Sequence, residues 1–340
     1  MKYTDLTPDD RLDVLNRVSS DLNIPSREII EKDWWVTAVL RALFNLPYAR
    51  HLSFKGGTSL SKCYGLIRRF SEDIDIAIDR EYLGFSGQLS KTQISDKLRR
   101  AACSFVREQM QYDLAKALED AGINRSLFDV SVDITPISTT DPETISVSYR
   151  SALPSTLDLS DYILPKVKIE VSGRSMNEPI GLVPLNSMID QVYPHAPFTE
   201  KSFDVNAVLP ERPFLEKMFL LHEEFSKSNE LMRTERMSRH MYDLYQMLQT
   251  DIAWKAISNM GFYHQVIEHR RIFIGLKGFN YNMLSRETIN IIPPKYIRGL
   301  WKADYEKMQR HMIYGQSPSF EDMLESLSEF NSKVRECKFD

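Results

Sequence analysis

The chain has 340 residues, 42% of them apolar and 26% charged, enough to bury a sizeable core and unlike either a disordered or a membrane-embedded protein. Its 43 Lys and Arg against 47 Asp and Glu give a formal net charge of -4. That excludes wholesale attraction to a polyanion, so any nucleic-acid contact must come from a local basic patch. Cys63, Cys103 and Cys337 are odd in number and widely spaced, which speaks against a disulfide framework or a cysteine zinc site. The opening stretch MKYTDLTPDDRLDVLNRVSSDLNIPS has no apolar signal-peptide region, and no later run approaches a membrane span. A cytoplasmic protein is expected.

In chain order, Thr7 caps a first predicted helix with apolar Leu12, Val14, Leu15, Val18 and Leu22, and Ser26 caps a second that runs to Pro47. Trp34, Trp35, Val39, Leu40 and Leu43 recur there at helical spacing and read as core. HLSFKGG is a short strand into a turn, TSLSKCYGLIRRF reads as helix, and SEDIDIAID is a strand alternating Ile74, Ile76 and Ile78 with Asp73, Asp75 and Ala77. A charged helix ends at Gly122. Three strands are predicted next: Phe128, Val130, Val132 and Ile134 on one face; then Ile145, Val147 and Tyr149; then Val167, Ile169 and Val171 opposite Lys166, Lys168 and Glu170. Residues 180–210 read as irregular, and from about Leu215 the pattern is helical. The expected fold is α+β, a mixed β-sheet with flanking helices in residues 1–205 followed by a helical domain in residues 206–340.

Asp73 and Asp75 are the first candidates for chemistry. Alternation along a strand points both carboxylates the same way, and two like charges side by side gain from a bound cation. Upstream, Gly56-Gly57-Thr58 opens a helix whose free N–H groups and dipole favour phosphate, and glycine permits close approach. Lys62, one turn on, is either a phosphate contact or a solvent-exposed lysine. A third carboxylate comes from Glu170 or from Asp133. Together these are parts for metal-assisted phosphoryl transfer, with oxygen ligands suited to Mg²⁺ or Mn²⁺. Gly-Gly-Thr lacks the Walker spacing, so the combination with Ser-Glu-Asp-Ile-Asp carries the reading.

Gly-Gly-Thr-x-Leu, a helix, then Arg-Phe-Ser-Glu-Asp-Ile-Asp is similar to the signature of the AbiEii/AbiGii toxin family, within the DNA polymerase β-like nucleotidyltransferase superfamily. EKDWWVTAVLRALF resembles the helix before that signature. PFLEKMFLLHEEF with RMSRHMYDLYQML resembles a paired helical motif whose functional positions fall on Lys217 and Asp243. The resemblance implies that Gly56, Gly57 and Thr58 bind the nucleotide's phosphates and that Asp73, Asp75 and Glu170 bind metal; Lys62 and Ser71 are further candidates for nucleotide binding. It implies further that Lys217 neutralises phosphate charge and that Asp243 holds the lysine or the substrate, both from the helical domain across a cleft. It implies an NTP substrate, transfer of NMP to an RNA acceptor such as the tRNA 3′ end, and a separately encoded antitoxin.

Taken on their own residues, the helical candidates read differently. Lys217 lies at the edge of the stripe formed by Phe214, Met218, Leu221 and Phe225, as a snorkelling lysine does. Asp243 lies opposite its helix's stripe and reads as an exposed i,i+4 partner of Arg239. His222 and His240 form no zinc pattern. Arg68-Arg69, Arg99-Arg100 and Arg270-Arg271 are solvated pairs or the rim of an RNA site. Two other functions use the same parts: a small-molecule or protein nucleotidyltransferase, and a nucleotide-binding regulator without catalysis.

Overall fold

The computed structural model describes residues 1–24, 26–71, 73–133, 143–153, 164–176 and 178–336. Two expected features, Ile134 on the first of the three later strands and Glu72 in the Ser-Glu-Asp signature, lie outside them. The described chain falls into two compact units, residues 1–63 with 70–208, and residues 64–69 with 209–340.

The first unit is α+β. β1 (Leu52–Lys55), β2 (Asp73–Ile78), β3 (Phe128–Val132), β4 (Glu143–Tyr149), β5 (Lys166–Ser172), β6 (Ile180–Leu185) and β7 (Phe203–Val208) form one mixed sheet in the order β3-β4-β5-β2-β1-β7-β6. β2 lies between antiparallel β1 and parallel β5. This central position follows from Ile74, Ile76 and Ile78, which are fully buried along with Phe54, Ile169 and Val171. β6 and β7 occupy the stretch expected to be irregular; Gly181 and Pro184 break the strand signature of β6, while its ladder to β7 supplies the backbone partners.

α1 (Pro8–Leu22) and α2 (Arg27–Leu43) start at the expected caps, with the Thr7 hydroxyl accepting from the Asp10 N–H at 3.2 Å. α2 packs on β5, and Trp35 stacks on Tyr149 of β4 with ring centroids 4.9 Å apart. α3 (Gly56–Lys62) is shorter than the helix expected from TSLSKCYGLIRRF. Gly65 at φ +61° takes the chain out of helical geometry, and residues 64–69 belong to the second unit. Residues 93–120 are helical with π-helical turns, and include α4 (Arg99–Phe105) and α5 (Gln111–Asp120); α6 (Met188–Val192) precedes β7.

The second unit is helical: α7 (Glu211–Phe225), α8 (Ser238–Leu248), α9 (Ile252–Ser258), α10 (Met260–His269), α11 (Arg298–His311) and α12 (Phe320–Glu336). α8 packs against α7, α9, α11 and α12. Phe214 meets Phe330 edge-on at 5.7 Å, and Phe225 packs on Trp301 at 4.9 Å. Residues 64–69 join this unit through a bridge between Arg69 and Ile313 and an N–H from Tyr314 to the Arg68 carbonyl at 3.0 Å.

Candidate active site

β1 turns into α3 at Gly56, and the turn folds directly over a carboxylate. Gly56 has φ +80°, and a Cβ built on it would stand 1.8 Å from Asp75 Oδ2. Both the backbone angle and the space therefore require glycine. Asp75 is the cross-strand partner of Lys55 on β1 and of Glu170 on β5, while Asp73 partners Lys168. Partners in register share a face, so Asp73, Asp75, Glu170 and Lys168 project from one side of the sheet and Ile74, Ile76, Ile169 and Val171 from the other. All three carboxylate residues are half-buried.

The remaining candidates of this unit are placed as follows. The Thr58 hydroxyl donates to the Asp73 carbonyl at 2.5 Å and is almost fully buried, tying α3 to the carboxylate strand. Lys62 is neither solvent-exposed nor facing open space; its ammonium pairs with Asp33 of α2. The other Asp33 oxygen accepts the Met188 N–H at the start of α6 at 2.7 Å, so one carboxylate fastens three helices. Asp133 follows β3, which β4 and β5 separate from β2, and accepts from Ser146 at 2.6 Å and Lys166 at 3.2 Å. Glu170, by contrast, stands directly beside Asp75. Gly57 and Ser71 are half-buried.

In the helical unit, the exposed position expected for Asp243 is corrected: it is fully buried. A helix's apolar stripe does not reveal that a second layer covers its polar side, as happens where α8 meets α7 and residues 64–69. Arg69 clamps Asp243 with Nε to Oδ1 at 2.7 Å and Nη2 to Oδ2 at 2.8 Å, and Lys217 Nζ stands 2.9 Å from the same Oδ2. Burial alone would raise the Asp243 carboxyl; the Arg69 and Lys217 cations outweigh it and hold the group well below the usual carboxylate range. His240, one turn earlier, is kept neutral by burial and by Lys217 and Arg239. The paired arginines split. Arg69 and Arg270 are buried in ion pairs, the latter with Glu223, and Arg99 and Arg100 both face Asp96.

The sequence matches the family of nucleotidyl transferase AbiEii toxins of type IV toxin–antitoxin systems over residues 38–326. The chain belongs to the AbiEii family. As an AbiEii toxin it is a nucleotidyltransferase, with an NTP as substrate and an antitoxin as partner. MenT4, a nucleotidyltransferase toxin from Mycobacterium tuberculosis H37Rv, is similar in structure with a TM-score of 0.44 and 14% identity, over 94% of this chain and 97% of that one. No curated protein matches the sequence. Among the described residues no helix is long and apolar enough to cross a membrane.

Among the described residues of this AbiEii chain, no three His, Cys, Asp or Glu side chains stand close enough to hold a metal ion. The donor chemistry nevertheless fits a hard cation. Mg²⁺ is commonly held by one or two carboxylates plus substrate phosphates rather than by an all-protein cage. Asp75 and Glu170, on strands about 4.8 Å apart, supply that minimum, with Asp73 two residues along. Two contributors escaped the sequence reading. Asp33 left a signal, a run of three charged residues inside an apolar helix, whereas nothing local marked Arg69 as buried.

Proposed function

We propose that this toxin transfers a nucleoside monophosphate from an NTP to a hydroxyl of an RNA acceptor, such as the 3′ end of tRNA, releasing pyrophosphate, in a Mg²⁺- or Mn²⁺-dependent reaction. The observation that carries the reading is the seating of Gly56 against Asp75 while Asp75 is in register with Glu170. A glycine turn seated on a carboxylate, and a second carboxylate in register with it, are thereby built from one turn and two strands.

In this reading the α3 N-terminus, with Gly56 and Gly57, receives the triphosphate, whose charge the free N–H groups and helix dipole favour. Asp73, Asp75 and Glu170 would hold the metal, which when bound offsets phosphate charge and lowers the pKa of the attacking hydroxyl. One of these carboxylates accepts the proton that leaves the acceptor hydroxyl. Thr58 acts on the carboxylate strand, fixing the Asp73 carbonyl, and Lys62 acts through α3, whose end it fastens to Asp33. Ser71 belongs to the approach to β2. Lys217 supplies an ammonium for phosphate, and Asp243 holds that ammonium.

The test is label transfer. The full chain with Mg²⁺ is incubated with each α-labelled NTP, with total RNA as acceptor, beside Asp73→Ala and Glu170→Gln. Label in an RNA band, reduced at least 100-fold by either substitution, is the expected result. Label entering only protein or small molecules would replace the RNA acceptor. NTP binding without any transfer would leave a regulator.

A further inference from the structure

Asp243 carries two cations on one carboxylate, and the three groups differ in exposure. Arg69 and Asp243 side chains are 3% and 0% exposed, and Lys217 is 12% exposed. Two positive charges against one negative leave a net positive charge, and Lys217 is the member that reaches solvent. Its ammonium has three donors, and the bond to Asp243 uses one of them.

The guanidinium fork occupies both Asp243 oxygens and so fixes the plane of the carboxylate. Oδ2, shared between Arg69 and Lys217, is then a fixed point from which the lysine is aimed. Arg69 is itself immobilised by the backbone bridge to Ile313 and by the bond beside it from Tyr314 to Arg68. A lysine alone on Asp243 would lack this constraint, because the carboxylate could turn about its last torsion. Neutral His240 leaves the charge balance of the cluster unchanged.

We infer that Arg69 is a positioning residue for Lys217, acting through Asp243 to present a fixed ammonium to the triphosphate of the NTP. The inference rests on the phosphate role proposed above for Lys217, and the experiment separates the two. Binding of the NTP that the full chain prefers among the four is measured for Arg69→Met, Lys217→Met and the double variant.

Each single substitution is expected to weaken binding about tenfold or more, and the double variant to bind no more weakly than the worse single. A Lys217→Met protein that binds normally would refute the phosphate role itself. If Lys217→Met weakens binding but Arg69→Met does not, or if the two losses multiply, Arg69 has no positioning role. Arg69→Met leaves Asp243 with one cation, so Arg69→Met/Asp243→Asn, which removes both buried charges, is measured alongside with its thermal transition. It is expected to fold and still to bind as weakly as Lys217→Met. Wild-type affinity in that folded variant, or failure of both Arg69 variants to fold, would reduce Arg69 to a structural residue.

Discussion

Gly56 meets two independent demands, and a pair of alanine substitutions separates them. Its φ of +80° costs any L-residue roughly 1–2 kcal/mol, and the added methyl would also collide with the Asp75 carboxylate. Gly84 has a similar φ of +86° but open space around its Cβ position. Gly56→Ala and Gly84→Ala should therefore both lower stability by about 1 kcal/mol or more in urea unfolding. Only Gly56→Ala should abolish transfer, because it alone displaces a carboxylate. Equal activity losses in the two variants would show that the turn serves the fold and nothing more. Thr58 illustrates a related point. Its hydroxyl has one proton to give, and this one goes to the Asp73 carbonyl, a partner 15 residues away that no local pattern marks.

The element that holds the site together is α2, through three consecutive charged residues whose apolar neighbours concealed them. Glu31, Lys32 and Asp33 are each under 7% exposed. Adjacent helical positions point about 100° apart, so each reaches a different segment. Glu31 accepts the Ala152 N–H at 2.7 Å, Lys32 donates to the Leu164 carbonyl at 3.1 Å, and Asp33 joins Lys62 to Met188. The helix and its core face were legible from Trp34, Trp35, Val39 and Leu40, because apolar periodicity reports local burial. The ion pair was not, because its partners are 29 and 155 residues away in sequence. Removing one member of a buried pair strands the other, at about 3–5 kcal/mol. Asp33→Ala should fall in that range by urea unfolding, and adding Lys62→Met should recover about 1 kcal/mol or more. A further loss in the double variant would mean that Lys62 stabilises the fold independently of Asp33.

Across the whole molecule, the α+β class was readable from strands followed by a run of helices, and β2 and β5 from alternation, whereas the pairing of β2 with β5 and the assignment of residues 64–69 to the helical unit were not. That segment lies between α3 and β2 in sequence, and its partners, Ile313, Tyr314 and Asp243, lie more than 170 residues downstream. The two units should also differ in their response to acid, because the strongly depressed histidines both lie in the helical one. His222 accepts the Asn290 N–H at 2.8 Å through Nδ1, and burial, aided by Arg335, lowers its pKa from 6.5 to about 4. His240 is lowered as well. In the unfolded chain both protonate near pH 6.5 while the folded unit stays neutral, so unfolding takes up protons between about pH 6.5 and pH 4. The stabilisation is complete above pH 6.5 and is lost on acidification, by up to about 3 kcal/mol for His222. Asp243, held below the usual carboxylate range, stays ionised in the folded unit across this window; in the unfolded chain it protonates near its ordinary value, so it adds to the slope only towards the acid end. Hydrogen exchange resolved by segment should show α7 and α8 losing protection between pH 7 and pH 4.5 ahead of β2 and β5. His222→Gln should flatten that dependence without abolishing it, since His240 still titrates. An unchanged slope in the variant would show that His222 takes up its proton in the folded unit as readily as in the unfolded chain.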